Sequence, residues 1–215
     1  MQTQTCTPVS IARAFTRWLF RLLLVLLLIP VGAYLVFVVT RFLPAKSELD
    51  ARLVPYQGPA PHLRMLRDLV WAYVQGNPAR PTIPYWVDGP DARITGQIAR
   101  FITAKEDHYR SSLWRHLDGI AWQLSLNISY EHEAMAALWS AQVISPAGTG
   151  MEAAALHYFE RPLRELGCHD LAALVVMVRA PRHFVPGSEA SERFIRRTGL
   201  EAACGQPITN SADAS

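Results

Sequence analysis

The sequence predicts an all-α domain held behind a single N-terminal transmembrane helix. Three observations carry that expectation. Residues 22–40, "LLLVLLLIPVGAYLVFVVT", are uncharged and long enough to cross a bilayer. Downstream, apolar residues recur in one segment after another at the three-and-four spacing of amphipathic helices. No two segments alternate in the manner of a convincing strand pair.

The anchor comes first in chain order. The first 47 residues contain no acidic side chain, and Arg13, Arg17 and Arg21 precede the apolar run. That run continues directly into Arg41, Phe42 and Leu43 without a small-residue cleavage site, so it reads as uncleaved. Arg41 and Lys46 flank the far side, but the three preceding arginines favour a cytoplasmic N-terminus over residues 1–21. The rest of the chain is then expected on the periplasmic or extracellular side. Residues 41–62 mix Pro, Gly and charge and read as a stalk.

A helical domain is expected over residues 63–200. It opens with "LRMLRDLVWAYV" (63–74), where Leu63, Leu66, Val70 and Tyr73 share a helix face. The segment "QGNPARPTIPYWVDGP" (75–90) holds four prolines and cannot be a helix interior. Asp91 is the N-cap expected for the next helix, whose buried stripe is Ile94, Ile98, Phe101 and Ile102. Helical patterns continue over 112–128 and 130–143, and "SPAGTG" (145–150) breaks them with a turn. Three further helices follow at 151–159, 169–178 and 189–197, the middle one apolar nearly all round. Residues 201–215 form a polar tail.

Composition sets further bounds. At 215 residues the chain can bury one proper core and still carry an anchor. Its formal charge is +3 with scattered Lys and Arg, which leaves no electrostatic footprint for nucleic acid. Three cysteines are too few for a disulfide framework. Cys168 and Cys204 would share an oxidising compartment; a bridge between them and two free thiols are both compatible with the sequence.

The carboxylate of interest is in "FITAKEDHYRSSLWRHLDG" (101–119). Glu106 falls one turn after Ile102, on the rim of the apolar stripe, where it either projects into a cleft or is an ordinary polar residue of a last turn. The histidines make no obvious metal site. "EHE" at 131–133 lacks the spacing that places two ligands on one helix face, and His108 and His116 have no third ligand. Neither a nucleophile elbow, a Cys-His arrangement nor a phosphate loop is present.

The most specific stretch is "GTGMEAAALHYFERPLRELGCHDLAALVVMVRAPRHFVP" (148–186). It resembles the C-terminal motif region of the family 51 peptidoglycan glycosyltransferases. Gly150, Glu152, Ala153, Ala154, Tyr158 and Phe159 match a Gly-rich turn, "G(I/V)EAAA" and an aromatic pair. Leu166, Asp170, Ala172, Leu174, Ala180, Pro181, Phe184 and Pro186 follow without a gap, Asp170 standing for Glu. Small residues at this density let helices approach closely, so the stretch is mainly a packing signature.

Upstream, "IARFITAKED" is similar to the approach to the family's first motif, E-D-x-x-F-x-x-H-x-G, with Glu106 and Asp107 at its first two positions. Arg110 then replaces the aromatic and Leu113 the histidine; a three-residue insertion restores Leu113 and His116 to those roles, with Gly119 one place late. "GIAWQLSLN" (119–127) is similar to the second motif, G-S-T-I-T-Q-Q-L-x-K-N, at Gln123, Leu124 and Asn127 only. "EHEAMAALWS" (131–140) is similar to the segment before the Gly-rich turn, which leaves no room for the third motif, R-K-x-x-E-x-x-x-A.

The resemblance implies a lysozyme-like glycosyltransferase domain at the cytoplasmic (inner) membrane of a bacterium. Its implied partners are lipid II or a glycan strand, the lipid bilayer and other cell-wall synthesis proteins. Glu106 is then the catalytic carboxylate, a general base toward the acceptor sugar 4-hydroxyl. Asp107, His116, Gln123 and Asn127 are the implied substrate-binding residues. The family allows a divalent cation, but the sequence offers no clear ligand set for one. Lys105, Arg110 and Arg115 lie near Glu106 and either assist the leaving diphosphate or are simply solvated.

Three readings follow. One is a short, divergent glycosyltransferase. A second is a pseudoenzyme of the same fold kept for binding, favoured by the loss of the third motif. The third is a glycan-cleaving enzyme using Glu106 as acid, which lacks a well-placed second carboxylate because Asp107 points about 100° away on a helix.

Overall fold

A computed structural model describes residues 8–74, 90–105 and 112–204. The proline-rich segment 75–89, residues 106–111 with Glu106 and Asp107, and the tail from 205 lie outside the described residues. The chain divides into two compact units, Met1–Ala45 and Lys46–Ser215.

The first unit is built on α1 (Pro8–Phe37), which runs into a short π-helix, Val38–Phe42. Among the described residues, one helical stretch, Arg17–Tyr56, is long and apolar enough to cross a membrane. Pro30 lies inside α1, where its missing N–H removes one backbone hydrogen bond. Leu22 through Ile29 are all exposed.

The second unit begins within α2 (Leu43–Leu53), which is followed by a 3₁₀ turn at Val54–Tyr56. The expected stalk is therefore helical in its first half, with Leu49 and Leu53 buried. Pro61 occupies a first-turn helix position, where no backbone N–H is needed, and Pro55 the start of the 3₁₀ turn, while Pro44 comes just after the π-helical turn in a helix that continues through it. Asp50 in α2 accepts from Tyr130 Oη at 2.8 Å and from Lys46 Nζ at 2.7 Å, while Lys46 lies 5.1 Å from the Tyr130 ring centroid.

The remaining helices are α3 (Pro61–Tyr73), α4 (Pro90–Ala104), α5 (Ser112–Ser129), α6 (His132–Gln142), α7 (Met151–Phe159), α8 (Cys168–Met177) and α9 (Glu189–Thr198). Short 3₁₀ turns lie at Leu163–Glu165 and Leu200–Cys204. Asp91 falls inside the first turn of α4, which begins one residue earlier at Pro90. The turn at 145–150 closes a two-residue antiparallel ladder, β1 (Ile144–Ser145) with β2 (Gly148–Thr149), register Ile144 to Thr149. The fold is otherwise helical among the described residues, as the apolar spacing predicts.

Helix α8 is the centre of the core: Leu171 through Met177 are all buried, packed by α3, α9 and α7. α6 is buried on nearly every face because Ala136, Ala137 and Ala141 let its neighbours close in. Three tryptophans, Trp71, Trp122 and Trp139, supply the largest fully buried side chains. Trp71 stacks on His132 with ring centroids 4.0 Å apart, and the Trp139 indole donates to Gln97 Oε1 at 2.7 Å, joining α6 to α4.

The Gly-rich signature is structural. Gly150 has φ +95° and ψ 154°, and a Cβ there would lie 2.9 Å from the Tyr56 hydroxyl. That hydroxyl accepts from the backbone N–H of Glu152 at 3.0 Å, satisfying a free donor in the first turn of α7. The Glu152 carboxylate in turn accepts from Leu163 N at 3.2 Å, so it ties the following 3₁₀ turn rather than facing a substrate.

Cys168 and Cys204 form a disulfide with Cα atoms 6.0 Å apart. Of the two alternatives open in the sequence, the bridge is the one realised. The neighbouring His169 imidazole contacts the carboxylates of Glu201 and, at 3.0 Å, Glu192. Adjacent residues of α8 thus hold both the 200–204 turn and α9.

Candidate active-site cleft

One face of α4 opens on a cleft. Ile94, Thr95 and Ile98 are buried in the core, while Arg93, Gly96, Gln97, Ala99, Arg100 and Thr103 line the cleft. α5 runs beside it and contributes Arg115, His116, Gly119, Ile120 and Gln123 at helical spacing. Gly96 permits this approach, since a Cβ there would already touch the Gln123 side-chain amide at 3.4 Å. Tyr73 at the end of α3, Arg179 after α8, Phe194 of α9 and the 200–204 turn complete the walls. The volume of the cleft is about 1040 Å³.

Two of the sequence-derived site residues meet here. His116 and Gln123 both line the cleft from α5. Asn127 is one turn further on, half-buried, and donates to the Gln123 carbonyl at 3.1 Å; it does not line the cleft. Glu106 and Asp107 fall outside the described residues, as do His108 and Arg110, although α4 ends only two residues before Glu106. Lys105 is engaged elsewhere: its ammonium donates to Gln142 of α6 at 3.2 Å, and burial lowers its pKa.

Of the cations in the cleft, sequence reasoning named Arg115 and missed Arg93, Arg100 and Arg179. Arg93, Arg100, Arg115 and Arg179 all line it, and no described lining residue is acidic. Guanidinium groups gathered along low-dielectric walls are the kind of lining that attracts an anion. Arg179 is held over the Phe194 ring, 5.4 Å from its centroid, and the Arg100 Nε donates to the Gly96 carbonyl at 3.3 Å. Burial raises the pKa of the Tyr73 phenol, and Arg179 and Arg100 both act on it in the opposite sense. Arg93 and Arg100, seven residues apart, share a helix face, a spacing visible in the sequence. Arg179 carried no such signal.

Among the described residues no three His, Cys, Asp or Glu side chains come together in a way that could hold a metal ion. The side chains of the cleft are cationic and suit an anion instead.

A family model described as Transglycosylase matches residues 92–201, about half of the chain. The chain belongs to this family. The match opens in α4 and closes in the 200–204 turn, so it takes in nearly every wall of the cleft. Transglycosylase domains are lysozyme-like and helical, in keeping with the architecture above, and membership supports a peptidoglycan glycosyltransferase-like role in the cell wall. No curated protein and no solved structure matches the chain.

Proposed function

We propose that the protein is a membrane-anchored peptidoglycan glycosyltransferase-like protein that takes lipid II or a glycan strand into the cleft. The observation that carries this reading is a Transglycosylase match laid over a large arginine-lined cleft. A sugar diphosphate donor needs its negative charge met, and a cationic, partly enclosed cavity suits that need.

In this reading Glu106, next in the chain after Lys105, takes the proton from the acceptor 4-hydroxyl. The acceptor oxygen attacks the anomeric carbon of the donor, and the bond to the lipid diphosphate breaks with its electron pair leaving on the diphosphate. His116 and Gln123 contact sugar from α5, Asp107 helps from beside Glu106, and Asn127 supports Gln123 through its carbonyl hydrogen bond. The apolar helix anchors the chain in the cytoplasmic membrane, with Arg13, Arg17 and Arg21 on the cytoplasmic side. The Cys168–Cys204 disulfide supports an oxidising compartment for the domain, on the periplasmic or extracellular side.

A second reading, a binding pseudoenzyme, is favoured by the missing third motif. Polymerisation of purified lipid II in detergent by the native chain and by Glu106→Gln separates the two, with lipid II binding read on the same samples. Glycan product from the native chain alone establishes the enzyme and the role of Glu106. Binding without product from either leaves the pseudoenzyme, and absence of binding overturns both.

A further inference from the structure

Two of the four cleft arginines, Arg100 and Arg179, make no ion pair with a carboxylate among the described residues; one rests on its own helix carbonyl and the other on an aromatic face. They come from different elements, α4 and the turn after α8, yet both line the same cleft as Tyr73. Neither stands at a position to which the family resemblance gives a role. The motifs that supply cations in that resemblance are, in this chain, partly apolar or deleted.

We propose that Arg100 and Arg179, with the Tyr73 hydroxyl beside them, form a diphosphate-binding site that replaces the motif cations this chain has lost. Two guanidinium groups can grip a diphosphate in paired, charge-assisted hydrogen bonds that a lysine would not reproduce. The phenol, kept protonated by burial, adds a donor. Phe194 stiffens the Arg179 side chain from below, which reduces the entropy lost on binding. The cavity of about 1040 Å³ is large enough to admit sugar units alongside the anion.

This site rests on the reading that the cleft takes a sugar diphosphate, and its test can fail separately. The full chain in detergent is titrated calorimetrically with inorganic pyrophosphate and, in a parallel arm, with acetate. Arg100→Gln and Arg179→Gln are each expected to weaken pyrophosphate binding about tenfold or more, the scale of one charge-assisted contact. Arg196→Gln, on the exposed side of α9, is expected to leave it unchanged. Arg100→Lys and Arg179→Lys, which keep charge, are expected to fall between, and unfolding curves of each variant check that the fold persists.

Pyrophosphate binding that is absent in the native chain, or unchanged in both glutamine variants, overturns the site. Acetate binding with the same strength and the same arginine dependence also overturns it, in favour of a carboxylate site. Lipid II binding that survives both glutamine variants refutes the arginine site while the broader function stands. Arginine-dependent pyrophosphate binding without lipid II binding refutes the broader function while the site stands.

Discussion

Removing the Cys168–Cys204 bridge is expected to cost the domain a large share of its stability. The two cysteines are 36 residues apart, and the loop they close contains α8, α9 and the turn between them. Closing such a loop lowers the entropy of the unfolded chain, by an amount worth about 3–4 kcal/mol at room temperature. Leu200 remains buried and Glu201 still reaches His169, so the native state of a Cys168→Ser/Cys204→Ser variant keeps its other contacts. The effect therefore falls mainly on the unfolded ensemble. Guanidinium unfolding of the full chain in detergent, followed by the fluorescence of the buried Trp71, Trp122 and Trp139, measures it. For a domain of this size the same loss lowers the melting midpoint by about 6–16 °C. The native chain under reductant should match the double variant. A loss below about 1 kcal/mol would refute the reasoning, because it would mean the loop is already closed in the unfolded chain or strained in the folded one.

Three further predictions test the cleft and its supports. Gly119 lines the cleft within α5 and a Cβ there meets nothing within 4 Å, so Gly119→Leu should add up to about 1 kcal/mol through helix propensity while reducing pyrophosphate and lipid II binding. Unfolding and titration on one sample check both halves. Gly150→Ala forces a side chain into a backbone region reserved for glycine and against the Tyr56 hydroxyl, and should lose about 1–3 kcal/mol in the same unfolding assay. His169 has its pKa raised above 6.5, first by the hydrogen bond to Glu201 and then by Glu192, with burial opposing. A raised folded pKa means the contribution is complete below about pH 6.5 and fades as pH rises through the folded value. Melting midpoints of the native chain and His169→Gln should accordingly differ at acidic pH and converge at alkaline pH. A gap that widens with pH would reverse the assignment.

How much of this was legible beforehand depends on the range over which each feature is decided. Helices α3 and α4 announce themselves in the spacing of their own apolar residues, because 3.6-residue periodicity is a local property. The apolar run at 22–40 and the all-round apolar α8 are equally local, and so is the Ala-rich stretch that carries the family resemblance. α2 was hidden for a local reason too. Pro44, its one proline, reads as a breaker, yet the helix continues through it just after a π-helical turn. Other features depend on distant parts of the chain meeting. Arg100 and Arg179 are brought to one cleft by the packing of α4 and α8 against α3 and α6, and nothing in the neighbours of either arginine foretells the other. Cys168 and Cys204 meet because the 200–204 turn folds back on the first turn of α8, while Gln123 gains the cleft and Asn127 loses it through the azimuth at which α5 lies on Gly96. Periodicity determines which face of a helix is buried; only the packing of helices on one another determines which exposed side chains converge.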